Sequence, residues 1–316
     1  MKDINRIVTA VYSDKGTSRD NNEDNMFAGW HDMINYRSAD HYTSFYVDEY
    51  RDSLYMAAVL DGMGGMEFGE IASKASAEQI GSFYEKLSAM SDWTCEDLPE
   101  MLSDLKIRME QAIAEKMKKI ADKASDDDQP ISENASDEIP GSTCCGFIMK
   151  DGKLIPFWIG DSRLYLLRSG RLILLTKDHT IAQEKVDYGI ISQEEAKTVS
   201  GWHFVTAYIG DGQSSFAIGE AFDIEPGDKY LLCTDGISDR FPAQTLADHM
   251  AGSPEAFIKM IGEEIEKYSE DNATAIMVQI VSARQAEEEE VSDIASVIKK
   301  RAGEYLRGFR DMFPKK

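Results

Sequence analysis

Short apolar runs bounded by turn residues predict most of the secondary structure of this 316-residue chain. Strands are predicted at residues 6–13, 54–60, 142–150, 153–159, 163–168, 171–175, 229–234 and 273–281. The four runs between 142 and 175 are separated by Asp151-Gly152, Gly160-Asp161 and Ser169-Gly170, which are favoured turn dipeptides. Their regular spacing predicts an antiparallel meander. Residues 153–159 are apolar on both faces, which indicates a sheet that is covered on both sides.

Helical periodicity occurs in three parts of the chain, where apolar residues recur every three or four positions. The three stripes are Ile80, Phe83, Leu87 and Met90; Leu98, Leu102, Leu105, Met109, Ile113, Met117 and Ile120; and Val291, Ile294, Ile298, Ala302, Tyr305, Phe309 and Met312. The first two stripes are expected to pack against the core. Residues 122–138 are acidic and lack periodicity, so they predict an exposed loop.

The order of these elements predicts one domain, residues 1–284, followed by a C-terminal amphipathic helix in residues 285–316. This helix begins near Glu287–Glu290 and becomes basic from Lys299 onward, which suits the helix macrodipole. We expect it to dock on its own domain. Binding to a partner, dimerisation or attachment to a membrane surface are the alternatives.

The charge balance narrows the class of protein. The chain has 34 Lys and Arg against 57 Asp and Glu, a net charge of −23, which opposes binding to the phosphates of nucleic acids. No apolar run approaches the roughly 20 residues that cross a bilayer, and the N-terminus lacks a secretory signal. The four cysteines show no Cys-x-x-Cys spacing. These features predict a soluble cytoplasmic protein without structural zinc or an integral membrane segment.

Three aspartates stand at the ends of predicted strands. Asp61 and Asp235 each follow a strand and precede a glycine, and Asp271 immediately precedes a strand. Each dipeptide alone is an ordinary turn signal. However, carboxylates, carbonyl oxygens and water are the ligands of Mg²⁺ and Mn²⁺. Three converging carboxylates would repel one another, so a pair of divalent cations is the simplest way to offset their charge.

Longer motifs surround these aspartates. They are Ser13-Asp14-Lys15-Gly16 with Arg19, Asn22-Glu23-Asp24, Asp61-Gly62-Met63-Gly64-Gly65, Gly141-Ser142-Thr143, Gly160-Asp161-Ser162-Arg163, Asp178-His179, Gly189 with Glu194-Glu195-Ala196, Thr234-Asp235-Gly236 with Asp239, and Asp271-Asn272-Ala273-Thr274. In this order they resemble the metal-dependent protein phosphatases, also called type 2C serine/threonine phosphatases, and their bacterial branch in particular. The resemblance spans roughly residues 6 to 281. It implies an α+β fold, a four-layer αββα sandwich of two antiparallel β-sheets flanked by helices.

The resemblance also implies the metal ligands. Asp61 would bridge two Mn²⁺ or Mg²⁺ ions, and the carbonyl of Gly62 would complete one site. Asp235 and Asp271 would hold the other ion. Asp161, together with Asp235, would contribute to a third, weaker metal site.

The remaining roles concern the substrate and the attacking water. Glu23 and Asp24 would bind metal-coordinated water in the outer shell, and Arg19 would clamp the substrate phosphate. A water between two dications becomes hydroxide near neutral pH and can attack phosphorus, while a guanidinium offsets charge on the phosphoryl oxygens. Eukaryotic members carry a histidine where this chain has Met63. Because a thioether cannot donate a proton, we expect metal-bound water to protonate the leaving group, and a structural role for His179.

The leading functional interpretation is a phosphatase that acts on phosphoserine and phosphothreonine in proteins, the products of a Ser/Thr kinase. The alternative is a catalytically weak regulatory member that binds phosphoproteins, although the presence of all three aspartates argues against it. The acidic balance disfavours a two-metal nuclease. Residues 180–205 resemble the flap beside the family's active site, and residues 30–53 resemble an insertion.

Overall fold

The computed structural model of the chain describes residues 4–29, 41–49, 54–64, 68–126 and 140–282. The predicted C-terminal helix therefore lies outside the described residues, as do most of the predicted insertion, most of the predicted acidic loop and Gly65. None of the helices within the described ranges is long and apolar enough to span a membrane.

Strands and helices alternate along the chain in blocks. The strands are β1 (Ile4–Asp14), β2 (Asn25–Ala28), β3 (His41–Glu49), β4 (Tyr55–Leu60), β5 (Gly62–Met63), β6 (Gly141–Ser142), β7 (Cys144–Lys150), β8 (Lys153–Ile159), β9 (Arg163–Arg168), β10 (Arg171–Leu174), β11 (Ala217–Ile218), β12 (Phe222–Asp223), β13 (Lys229–Cys233) and β14 (Ala273–Ser282). The helices are α1 (Gly69–Ala89), α2 (Leu98–Asp126), α3 (Ile181–Asp187), α4 (Asp235–Ser238), α5 (Ala243–Met250) and α6 (Pro254–Tyr268).

Two antiparallel sheets form the centre of the fold. Sheet I has the strand order β10-β9-β13-β14-β1-β3, and sheet II has the order β11-β8-β7-β4-β2, with β12 also paired to β8. The short strands β5 and β6 form a separate pair. Strand β3 is the terminal strand of sheet I and pairs with β1 alone among the described strands.

Three layers of buried side chains separate the elements. The layer between the two sheets includes Val11, Tyr55 and Phe147. A second layer lies between sheet II and helices α1 and α2, and a third lies between sheet I and helices α5 and α6. The apolar stripes of α1 and α2 supply the second layer, as their periodicity predicts, except that Met90 follows the end of α1 and is exposed. The packing confirms the αββα sandwich.

The predicted meander is wrong at one turn. Strands β7 and β8 form a hairpin in sheet II, and β9 and β10 form a hairpin in sheet I. Between β8 and β9 the chain crosses from one sheet to the other at Gly160-Asp161 instead of turning back. Gly160 has a φ of 105°, a conformation that glycine adopts readily whether the turn closes a hairpin or links two sheets. The crossing brings Asp161 to the end of the sandwich where both sheets meet.

Two smaller differences concern element boundaries. Helix α2 continues to Asp126, so the first residues of the predicted acidic loop are helical. The predicted strand 142–150 is interrupted at Thr143, whose backbone N–H donates to the carbonyl of Asp61 at 2.8 Å. This interruption ties β6 and β7 to the end of β4, where the first of the candidate aspartates lies.

Candidate active site

The acidic residues singled out in the sequence converge at one end of the sandwich. Asp61 directly follows β4, whereas one residue separates Asp235 from the end of β13 and one residue separates Asp271 from the start of β14. Asp24 precedes β2, and Asp161 lies at the crossing between the sheets. Because β13 and β14 are antiparallel neighbours, the end of one and the start of the other reach the same edge of sheet I.

The carboxyl groups are close enough to perturb one another. Asp61 and Asp235 are close enough for each to affect the pKa of the other. The pKa of Asp61 is raised well above its usual range, first by burial and then by the neighbouring charges of Asp235, Asp24 and Asp161. Burial, followed by repulsion from Asp271, raises the pKa of Asp235 to about 6. The cluster is therefore an electrostatically strained group of acids, which a bound cation would relieve.

Asp24 is the most enclosed of these acids, with 4% of its surface exposed. Its Oδ2 accepts a hydrogen bond from the Thr234 hydroxyl at 2.8 Å, while its Oδ1 is buried and has no hydrogen-bond partner among the described residues. Burial is the main reason that its pKa is raised to about 8. An orphaned buried carboxylate oxygen is costly unless a cation or water satisfies it. This observation fits a site built for a hard cation and its water.

Backbone hydrogen bonds hold the end of β4 in place. The Asp61 amide donates to the Thr143 hydroxyl at 3.0 Å, and the Ser142 hydroxyl donates to the Asp61 carbonyl at 3.0 Å. A Cβ on Gly62 would overlap the carbonyl of Gly69 and lie 2.6 Å from that of Glu23. Glycine is required here because three backbone segments meet with no room for a side chain.

The loop before β14 is also tightly packed. A Cβ on Gly236 would overlap the Asn272 carbonyl, so α4 approaches β14 at backbone distance. The Asn272 side chain donates to the carbonyls of Lys15 and Asn21 at 3.0 and 2.9 Å and accepts from the Glu23 amide at 2.9 Å. Asn272 thereby fixes the loop that carries Arg19, Glu23 and Asp24, a role that the sequence motif alone did not indicate.

Arg19 lies at the rim of the acidic cluster. Its Nη2 is 2.6 Å from Oδ1 of Asp271, and both side chains are about half exposed. The same Asp271 oxygen accepts from the Asn272 amide at 2.9 Å. As the side chains stand, no three His, Cys, Asp or Glu side chains in the described ranges surround a common point closely enough to cage an ion. Asp271 would have to exchange its contact with Arg19 for a contact with a cation.

His179 and Arg163 stabilise the crossing between the sheets. His179 Nδ1 accepts from the Gly160 amide at 3.2 Å, and its ring stacks on Trp158. Arg163 forms a two-pronged pair with Asp178, with Nε and Nη2 at 2.9 and 2.5 Å from the two carboxylate oxygens. These contacts support the structural role expected for His179, and the Arg163–Asp178 pair was not anticipated from the sequence.

A cleft of about 680 Å³ leads away from the cluster. It extends from Asp161 and Asp235 to Trp202, between strand β10 and residues 180–205. That segment is closed at its base by pairing between Thr180 and Val205 and contains α3. It lies where the sequence resemblance expects a flap beside the active site.

Comparison with known proteins identifies the family of the chain. The sequence model of the family described as protein phosphatase 2C matches residues 37–281. The chain belongs to the protein phosphatase 2C family. The matched range contains Asp61, Asp161, Asp235 and Asp271 and begins after Arg19.

Several bacterial phosphatases 2C are similar to this chain. The serine/threonine protein phosphatase PstP of Mycobacterium tuberculosis (strain ATCC 25618 / H37Rv) is 28% identical over 276 residues, covering 86% of this chain and 45% of PstP. The chain therefore spans less than half the length of that relative. The serine/threonine phosphatase stp of Listeria monocytogenes serotype 4b is 26% identical over 242 residues, covering 74% of this chain and 87% of stp.

Solved phosphatase 2C structures share the fold. The crystal structure of M. tuberculosis PstP/Ppp superposes with a TM-score of 0.64 at 25% identity, covering 87% of this chain and 99% of that one. The catalytic domain of PstP in complex with two manganese ions gives a TM-score of 0.62 at 26% identity, covering 88% of this chain and all of that one. Protein phosphatases 2C are metal-dependent, and the donor chemistry of this cluster suits manganese or magnesium.

Proposed function

We propose that this chain is a metal-dependent protein phosphatase that hydrolyses phosphoserine and phosphothreonine in proteins. The convergence of acids around Asp61 and Asp235 carries this proposal, because bound cations would offset the repulsion among these carboxylates. Membership in the phosphatase 2C family and similarity to relatives named serine/threonine phosphatases support it. The substrates would be the phosphorylated products of a Ser/Thr kinase.

We assign the metal ligands as the family resemblance implies. Asp61 would contact two Mn²⁺ or Mg²⁺ ions, with Gly62 donating its carbonyl oxygen to one and Asp235 and Asp271 holding the other. Asp161 would contribute to a third, weaker site beside Asp235. When bound, these ions would lower the pKa of water and offset charge on the phosphoryl group.

The other residues of the cluster would position water and substrate. Asp24, with one oxygen held by Thr234, and Glu23 would accept hydrogen bonds from water beside the ions. Arg19 would leave Asp271 and present two N–H donors to the phosphate, a geometry that a guanidinium provides and an ammonium does not. Met63 cannot donate a proton, so water is the proposed proton donor to the leaving alcohol.

The cellular compartment is part of the same proposal. All four cysteines are free, and Cys144, Cys145 and Cys233 are buried within the sheets. Unpaired cysteines are typical of proteins in a reducing environment. A cytoplasmic phosphatase would meet this condition.

A metal-dependence assay tests the proposal. The rate of phosphate release from a phosphothreonine peptide should rise with added Mn²⁺ and disappear with excess chelator. Asp235→Asn should reduce the rate by at least a hundredfold, whereas Asp248→Asn, at an exposed position of α5, should leave it unchanged. Equal rates with and without chelator would exclude the proposed chemistry.

The alternative function, a regulatory protein that binds phosphoproteins without hydrolysis, gives a different result. That protein would bind the phosphopeptide with Mn²⁺ present and show no phosphate release from either a peptide or a small aryl phosphate. Measuring binding and turnover on the same preparation distinguishes the two functions.

A further inference from the structure

The outer face of strand β3 is uncovered within the described part of the chain. In the register of β1 and β3, Tyr12 pairs with Thr43, and Ala10 pairs with Phe45. Tyr12 and Ala10 belong to the apolar layer under α5 and α6, so Thr43 and Phe45 face the same side of sheet I. Yet Phe45 and Val47 are 45% and 51% exposed. Helix α6 therefore covers β1 and leaves a strip of apolar surface along β3.

This strip forms one wall of a groove of about 480 Å³ between β3 and α6. Phe45 and Thr43 lie on the strand side, Ile258 and Gly262 lie on the helix side, and the Tyr12 ring lies between them. A Cβ on Gly262 would come within 2.9 Å of the Tyr12 ring. The glycine lets helix and sheet approach closely, which gives the groove an apolar floor.

The rim of the groove is acidic. Glu255, Glu263 and Glu266 line it from α6, against a single lysine, Lys259. At the end nearest the candidate active site, His41 Nδ1 lies 3.0 Å from Asp14 Oδ2 and 3.7 Å from Glu266 Oε1. An occupant with an apolar stripe would match the floor, and basic residues placed beside Glu263 and Glu266 would match that part of the rim.

The chain leaves the described structure at the opposite end of this groove. Strand β14 ends at Ser282, which pairs with Ile4 of β1, and the neighbouring Arg6 pairs with Glu49 at the end of β3. Two strand spacings, about 10 Å, separate β14 from β3. Residues 283–286 can span about 13 Å when extended. A helix that begins near Glu287 can therefore enter the groove directly.

We propose that residues 287–313 form a helix that docks along this groove in the same molecule. Its apolar stripe would cover Val47 and Phe45 with Val291, Ile294 and Ile298. Strand β3 is about 27 Å long, equivalent to roughly 18 residues of helix. Residues Lys299–Arg301 would lie about 18–21 Å from the start of the helix, level with Glu263. This proposal is independent of the catalytic function proposed above.

Crosslinking in the full-length chain tests the docking. Thr43→Cys and Ala302→Cys are introduced together with Cys95→Ser, which removes the exposed native cysteine and leaves three buried ones whose thiol pKa values are raised by burial. A short bis-maleimide at low protein concentration should then give a crosslinked monomer. The matched control replaces Thr43→Cys with Ser82→Cys, on the exposed side of α1 at the far side of the sandwich, and should give none.

A labelling experiment provides a second readout. In a chain with Thr43→Cys and Cys95→Ser, the double substitution Ile294→Glu and Ile298→Glu should speed maleimide labelling at position 43 at least threefold. Circular dichroism should show that the fold persists. An unchanged labelling rate would overturn the proposal. Crosslinks found only between two chains would also overturn it, by making a second copy the occupant. Equal crosslinking from positions 43 and 82 would show that the helix does not dock.

Discussion

Without metal, the stability of this protein should fall as the pH rises from 6 to 8, and Asp24 should contribute to that fall together with Asp61 and Asp161, whose pKa values burial raises well above their usual range. Burial raises the pKa of Asp24 from 3.8 to about 8 in the folded chain. Between these two values the folded state holds a proton that the unfolded state has released. Raising the pH therefore favours the unfolded state.

The size of the effect follows from the two pKa values. Each pH unit between them corresponds to about 1.4 kcal/mol, and the slope levels off as the pH reaches the folded-state value. Asp24 alone should therefore lower the free energy of unfolding by about 2 kcal/mol from pH 6 to pH 8. The pKa of Asp235, raised to about 6, affects mainly the range below pH 6. Bound Mn²⁺ should remove most of this pH dependence, because a cation stabilises the ionised carboxylates.

Urea unfolding of the chelator-treated protein at pH 6, 7 and 8 measures the effect. Asp24→Asn keeps an oxygen that can accept from Thr234 but does not titrate. The difference between this variant and the parent therefore cancels the titration of groups that do not interact with Asp24 and reports Asp24 together with its coupling to the neighbouring acids. Asp248→Asn, at an exposed position, serves as the control and should show the parent slope. The free energy of unfolding of the metal-free parent, minus that of Asp24→Asn, should fall between pH 6 and pH 8. A difference that stays constant or rises would refute the reasoning.

Three further substitutions test individual contacts. Arg19→Ala should raise KM for a phosphopeptide more than it lowers kcat, and an unchanged KM in steady-state kinetics would reject its contact with phosphate. Gly236→Ala should destabilise the fold by about 2 kcal/mol in urea unfolding, because its Cβ overlaps the Asn272 carbonyl, whereas Gly252→Ala has room and should be neutral. Glu110→Ala should cost about 1–2 kcal/mol, because it removes hydrogen bonds to buried Lys106 at 2.6 Å and to the Gly210 amide while Lys106 keeps its pair with Asp211 at 3.2 Å. The same loss from Glu115→Ala, at an exposed position of α2, would contradict this.

The sequence predicted the strands well where glycine turns mark their ends. Strands β8 and β9 begin and end at the predicted residues, because apolar alternation and Asp-Gly or Ser-Gly turns are local signals. The assignment of β8 and β9 to different sheets was not predictable in this way. It depends on strand pairing, because β8 pairs with β7 and β9 pairs with β13. The sequence of the turn between β8 and β9 does not indicate these pairings.

The sequence motifs indicated which residues lie at the candidate site, but they did not indicate the contacts among those residues. Asp61, Asp235 and Asp271 stand at strand ends, and the sandwich brings those ends together. The motif did not reveal that Asp24 is the least exposed acid of the cluster, since its burial depends on the folded chain bringing Thr234 against it. Nor did the motif reveal the contact between Arg19 and Asp271. The contacts of half-exposed side chains depend on which charged groups the folded chain brings near them.

Anomalous scattering from crystals soaked in Mn²⁺ tests the central claim most directly. The account predicts two strong manganese peaks at the end of the sandwich, with Asp61 contacting both, Asp235 and Asp271 contacting one, and Arg19 released from Asp271. The protein used for the crystals should first be shown to hydrolyse a phosphopeptide in a Mn²⁺-dependent manner. If its crystals then show manganese elsewhere and no peak beside Asp61, the account is contradicted.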